Sequence, residues 1–257
     1  MTTNLFDLTG KVALITGGSR GLGRAMALAF ADHGADVVVA SRKLDNCEAV
    51  AAEIRAKGRR ALAHGCHVGK WDQLGALVDA AYDAFGRIDI LVNNAGLSPL
   101  YPALDEVSED LFDKVIALNL KGPFRLSALI GKRMQAEGGG SIINVSSIAA
   151  VTPSPAAEPY GAAKAGLNTI TRSFSCAYGP EVRVNSIMAG PFLTDIAKAW
   201  DMERFNERAR SGIPLQRGGE PNEIVGAALY FASAASSYTT GSILAVDGGS
   251  AGNRALD

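Results

Sequence analysis

Apolar residues along this chain fall into two alternating rhythms. Short runs rich in Val, Ile and Leu recur as VALIT (12–16), DVVVA (36–40), RALAH (60–64), ILVNN (90–94), SIINVS (141–146), RVNSI (183–187) and ILAVD (243–247). Most show no regular alternation of apolar and polar positions. Each therefore predicts a strand covered on both faces rather than one with a face in water. Between them, Gly23–His33, Asp45–Lys57, Trp71–Phe85, Glu109–Gln135, 159–178 and Glu220–Phe231 carry helical spacing. Strands alternating with helices imply right-handed crossovers. The expected fold class is α/β, a single doubly wound parallel sheet of Rossmann type with helices on both faces.

No internal repeat or low-complexity linker divides the chain. EGGGS (137–141) reads as a helix-to-strand turn. One dinucleotide-binding and catalytic domain over 1–257 is the expectation. The segment 190–219 breaks the rhythm with two prolines, the charged stretch DMERFNERAR and then GIPLQRGGEP. A long excursion of this kind is expected to be a substrate lid.

Composition removes several classes of function. The 257 residues can bury a sizeable core, and 47% hydrophobic with 20% charged residues is an ordinary globular profile. A net charge of −1 gives no expectation of nucleic acid or an anionic membrane as partner. No run of about 20 uncharged apolar residues predicts a membrane span. The opening MTTNLFDLTGK lacks a basic segment followed by an apolar one, so no secretory signal is expected. Cys47, Cys66 and Cys176 are odd in number and scattered, without metal-ligand spacing. Reduced thiols in a cytoplasmic setting and no metal are the expectation.

Three stretches carry candidate chemistry. ALITGGSRGLGRAMA follows the first strand and opens the first helix, with Gly17, Gly21 and Gly23 spaced G-x-x-x-G-x-G. Free N–H groups at a helix start suit a phosphate, and glycines let the backbone approach it. Alone, the loop also fits a plain strand-to-helix turn. The second strand ends in Ser41 and Arg42, where an acidic residue would favour NAD. A basic residue there suits a 2′-phosphate, hence NADP(H), and Arg20 in the glycine loop adds a second cation. In EPYGAAKAG (158–166), Tyr160 and Lys164 lie four apart, on one face of a helix. They could be a surface pair, or an acid tuned by a fixed cation.

Taken together and in order, Thr16-Gly17 with Gly21 and Gly23, NNAG (93–96), Asn119 in ALNLKGPF, Ser147 in INVSS and the Y-x-x-x-K of Tyr160 and Lys164 resemble the classical short-chain dehydrogenase/reductase family. The likeness continues through VNSIMAGPFLTD and GSILAVDGG, so it covers essentially the whole chain. It implies an NADP-dependent oxidoreductase acting on a carbonyl or secondary alcohol of sugar, polyol or 3-oxoacyl type. Tyr160 would be acid in reduction and base in oxidation, its high phenol pKa lowered by Lys164. Ser147 would bond the substrate oxygen, and Asn119 would hold a water behind Lys164. The cofactor would run along Thr16, Gly17, Ser19, Arg20, Gly21, Leu22 and Gly23, with Ser41 and Arg42 at the 2′-phosphate. His67 and Val68 would meet the adenine, with Asn93, Asn94, Ala95 and Gly96 near the adenosine. Ile187, Gly190 and Thr194 would lie near the nicotinamide, and Tyr160 and Lys164 would touch its ribose.

Two positions depart from the family pattern. His67 stands where an aspartate is usual, and Ala189 where a proline is usual before the glycine. The resemblance also implies a homotetramer or homodimer, paired through helices 109–135 and 159–178 and the last strand. A rival reading is a regulator of the same fold that binds NADP without turnover. A second is an NAD-dependent dehydratase or epimerase on a nucleotide-sugar, although those relatives usually add a C-terminal domain.

Overall fold

The computed structural model describes residues 4–195, 197 and 200–252. Seven strands form one parallel sheet in the order β3-β2-β1-β4-β5-β6-β7. They are β1 (Val12–Thr16), β2 (Asp36–Ser41), β3 (Ala61–Gly65), β4 (Ile90–Asn93), β5 (Gly140–Ser147), β6 (Val182–Ala189) and β7 (Ile243–Val246). All seven lie where the apolar runs placed them, with ends shifted by a residue or two.

The reason for unbroken apolar runs is visible in the core. Successive residues of a strand point to opposite faces, and in the inner strands both faces are buried, while the edge strands β3 and β7 are only partly covered. Ala13, Ile15, Val37, Val39, Ile90 and Val92 join a cluster with Met26, Phe30 and Phe231. Their neighbours Val12, Leu14, Val38, Ala40 and Leu91 join a second cluster with Leu74, Leu77, Leu126 and Ile130.

The helices are α1 (Gly21–Asp32), α2 (Leu44–Ala56), α3 (Gln73–Phe85), α4 (Glu109–Ile116), α5 (Gly122–Ala136), α6 (Glu158–Tyr178), α7 (Met202–Gly212) and α8 (Val225–Ala232). The expected helix 109–135 is therefore not continuous. A wider π turn, Ala117–Lys121, separates α4 from α5. Pro123 lacks the N–H that would pair with the Asn119 carbonyl in a regular α-helix, so the ladder re-registers there. The 220–231 helix likewise starts as a 3₁₀ turn, Pro221–Ile224, before α8. The EGGGS turn is as expected: Gly138 and Gly139 carry positive φ between α5 and β5.

The excursion at 190–219 is pinned at its root. Leu193 N–H donates to the Gly219 carbonyl and Gly219 N–H to the Pro191 carbonyl, at 2.8 and 2.9 Å. Residues 196, 198 and 199 of the expected lid lie outside the described residues, as do both ends of the expected 1–257 domain. The sheet order reverses direction at β1/β4, so the turns after β1 and β4 face each other at the carboxyl edge. Open α/β sheets bind ligands at such a switch point.

Candidate active site

The glycine turn and the NNAG segment meet at that switch point. Thr16, the last residue of β1, is buried and its hydroxyl joins three main-chain groups. It donates to the Val92 carbonyl at 3.2 Å and accepts from the N–H groups of Asn94 and Ala95 at 3.0 and 3.1 Å. The Asn94 amide donates back to the carbonyls of Thr16 and Gly17, at 2.9 and 3.2 Å. Gly17 has φ of 64°, a left-handed conformation that disfavours a side chain. A Cβ on Gly23 would lie 2.2 Å from the Gly17 carbonyl oxygen, so α1 can start this close only with glycine.

The start of α1 is poor in internal partners. Arg20 is its N-cap and makes no side-chain capping bond. Among the described residues, no acceptor takes the N–H of Arg20, Gly21, Leu22 or Gly23. Unpartnered donors and the positive end of a helix dipole fit a phosphate. Thr194 reaches this turn from the excursion, its side chain 3.4 Å from where a Gly21 Cβ would stand. A cavity of about 460 Å³ lies between them, lined by Gly21, Leu193, Thr194 and Met202.

At the end of β2, Arg42 is exposed, as is Arg20. Neither has an ion-pair or hydrogen-bond partner among the described residues, and nearby Asp45 forms no ion pair with Arg42. The Ser41 hydroxyl is already engaged, 3.0 Å from the Cys47 sulfur. His67 folds back on its own turn: its Nδ1 accepts the Gly69 N–H at 3.1 Å, while Gln73 accepts its main-chain N–H. The ring thus makes the local bond that an aspartate makes in an Asx turn. Val68 beside it is buried.

The second cluster stands at the ends of β5 and α6. Ser147 closes β5, and its hydroxyl accepts from the Ala149 N–H at 3.2 Å. The Tyr160 phenol lies near the Ser147 side chain, which acts to lower its pKa. Lys164, one turn on, is buried; its Nζ donates to the Val145 carbonyl at 2.7 Å and lies 5.5 Å from the centre of the Tyr160 ring. Asn119 is fully buried in the π turn. Its amide donates to the carbonyls of Leu97 and Val115, both at 2.9 Å, and its Oδ1 accepts the Leu97 N–H. A Cβ on Gly96 would come 2.8 Å from Asn119 Oδ1 and 3.7 Å from Lys164 Nζ, so the residue before Leu97 leaves those two groups room.

Burial is the largest influence on both titrating groups. It raises the Tyr160 phenol, and only the nearby Ser147 side chain pulls the other way. It lowers Lys164 to about 8. The expected pull of Lys164 on the phenol does not dominate in the protein alone, because both groups share a dry site that opposes either charge.

Ile187 lies in β6, near its carboxyl end. Its side chain is fully buried in the core among Ile143, Val145 and Ala189, so it is not brought to the surface with Thr194. Gly190 follows β6, where a Cβ would strike Asp247 at 2.6 Å. The Val145 carbonyl under Lys164 is a partner that sequence reasoning missed, and no sequence signal marks a main-chain acceptor.

Among the described residues no group of His, Cys, Asp and Glu could hold a metal, and no helix is long and apolar enough to cross a membrane. A family model described as enoyl-(acyl carrier protein) reductase matches residues 17–251. The chain is 36% identical to dehydrogenase/reductase SDR family member 4 of Pongo abelii, over 94% of this chain and 88% of that protein. It is 40% identical to L-rhamnose 1-dehydrogenase (NAD(P)(+)) of Azotobacter vinelandii, over 94% and 97%. A 7α-hydroxysteroid dehydrogenase, solved with NADH and 7-oxo glycochenodeoxycholic acid, superposes with a TM-score of 0.92, 35% identity and 97% of each chain covered.

Proposed function

Because the chain belongs to the classical short-chain dehydrogenase/reductase family of oxidoreductases, we propose that it moves a hydride between NADP(H) and a small carbonyl or secondary alcohol, of sugar or polyol type. The observation that carries this reading is the Ser147–Tyr160–Lys164 cluster, placed on rigid strand and helix ends beside the glycine turn. The nicotinamide, when bound, supplies or takes up the hydride at the substrate carbon. The rest is the chain's own work. Tyr160 gives its hydroxyl proton to the carbonyl oxygen in reduction and takes it back in oxidation. Ser147 donates to the same oxygen and steadies the charge that grows there. Lys164 offsets negative charge on the phenol oxygen in the transition state, held in place by the Val145 carbonyl. Asn119 fixes the loop at Leu97 behind it, and with it the space around Gly96.

Preference for NADP(H) rests on Arg42 and Arg20, two exposed cations with no partner among the described residues, flanking the end of β2 and the glycine turn. The sugar or polyol class rests on the L-rhamnose 1-dehydrogenase relative. Pairing into a homodimer or homotetramer, the 190–219 lid and a cytoplasmic site belong to the same reading. The test is a panel of sugars, polyols, 3-oxoacyl thioesters and simple ketones, followed by nicotinamide absorbance with NADPH, NADH and their oxidised forms. Turnover of a polyol or aldose with NADP is expected; a purified, folded protein that binds NADPH but turns over nothing would favour a regulator instead.

A further inference from the structure

The helix that carries Tyr160 begins badly by itself. Its N-cap, Ala157, has no side-chain oxygen and makes no cap. Pro159 has no N–H, and Gly161 N–H reaches the Ala157 carbonyl at 2.8 Å. The Glu158 N–H is left for an outside acceptor, because a helix start cannot satisfy its first donors internally. That acceptor comes from 57 residues away: the Tyr101 hydroxyl takes the Glu158 N–H at 2.8 Å. The same hydroxyl donates to the Pro155 carbonyl, also at 2.8 Å. One phenol therefore ties the loop after β4 to the segment between Ser147 and Tyr160. Tyr101 and Tyr160 also line one void, with Leu111, Val115 and Pro159, that has no room for a water molecule.

We propose that Tyr101 is a positioning residue for Tyr160. It caps the first turn of α6 and so fixes the direction of the Tyr160 hydroxyl, two residues further on. The proposal rests on the reading of Tyr160 as proton donor. Misplacing a catalytic group by about 1 Å costs on the order of a hundredfold in rate, so a loosened cap falls on kcat before it falls on binding.

Tyr101→Phe keeps the ring and removes only the hydroxyl. The expected result is a kcat lower by about tenfold or more, with the NADPH dissociation constant, read by nicotinamide fluorescence, within about twofold of wild type. Hydrogen exchange of the Glu158 amide should quicken in the same variant. An unchanged kcat overturns the proposal. So does a lower kcat with unchanged exchange, since Tyr101 would then act on the substrate itself. Should the variant not fold, wild-type exchange decides: a Glu158 amide without protection overturns the proposal, and a protected one supports it. Tyr160→Phe run in parallel separates the two ideas. If it stays active, the reading of Tyr160 falls; if it is dead while Tyr101→Phe is normal, only the positioning role falls.

Discussion

Lys164 holds its ammonium 5.5 Å from the centre of the Tyr160 ring while donating to the Val145 carbonyl at 2.7 Å. A ring face and one carbonyl are thin compensation for a buried charge, and burial brings this lysine from 10.5 down to about 8. The sign for stability follows from proton counting. Between these two values the unfolded chain holds the proton more tightly than the folded one, so folding gains stability as pH rises. Below about pH 8 both forms are protonated and the burial penalty is fully present.

The comparison chain is Lys164→Met, which has nothing to titrate. Wild type should gain on the order of 2 kcal/mol relative to this variant between about pH 7.5 and 9.5. Tyr160 is present in both chains and largely cancels. Urea unfolding at several pH values measures the difference; two parallel curves would mean that Lys164 is not a buried cation.

Tyr160→Phe should lower kcat by roughly 10²- to 10⁴-fold, the usual worth of a positioned proton donor. Affinity for the dinucleotide should change little, because the ring and Lys164 stay. Single-turnover rates with a saturating substrate read this directly, and a rate close to wild type would remove Tyr160 from the mechanism.

Gly23→Ala tests the glycine turn with a sign that helix propensity alone gets wrong. In a tolerant helix the change would stabilise by about 1 kcal/mol. At Gly23 the new methyl would meet the Gly17 carbonyl oxygen at 2.2 Å and the Asn94 amide at 2.5 Å. The variant should melt several degrees lower and bind NADPH at least tenfold more weakly. Gly75→Ala and Gly226→Ala are the controls, since a Cβ at either meets nothing within 4 Å. These should hold or raise the melting temperature with binding unchanged. Equal behaviour of all three would show that the turn is not tightly packed.

What could be read from the sequence divides along physical lines. Strands β1, β2, β4, β5 and β6 were legible because burial on both faces forces apolar residues at consecutive positions, as in Val12 through Ile15; the edge strands β3 and β7 are only partly covered. Tyr160 and Lys164 were legible as one face of a helix because spacing alone sets it. The π turn at Asn119 was not, because its register depends on bonds to Leu97 and Val115. The Val145 carbonyl and the Tyr101 bridge were invisible, since both are contacts between segments far apart in sequence. The fully buried side chain of Ile187 was not legible either, since its neighbours in the core come from other strands.

The proposed preference for NADP(H) turns on Arg42. Its guanidinium is exposed, and no carboxylate among the described residues pairs with it. A 2′-phosphate placed beyond β2 would meet Arg42 from one side and Arg20 from the glycine turn. Ser41 contributes less than its position implies, because its hydroxyl already faces Cys47 at 3.0 Å. A hydrogen bond to a charged group contributes about 1.5–3 kcal/mol, and each 1.4 kcal/mol is about tenfold in affinity. Arg42→Asp should therefore cost NADPH about a hundredfold or more in kcat/KM. NADH should lose far less or gain, since a carboxylate accepts from a ribose 2′-hydroxyl and repels a phosphate. Wild type should prefer NADPH, and the preference should shrink as salt screens the exposed cations. Steady-state kinetics with both cofactors, for both chains and at two ionic strengths, give the eight kcat/KM values required. Equal use of NADH and NADPH by wild type, unmoved by Arg42→Asp, would mean that Arg42 points into solvent and that the end of β2 does not choose the cofactor.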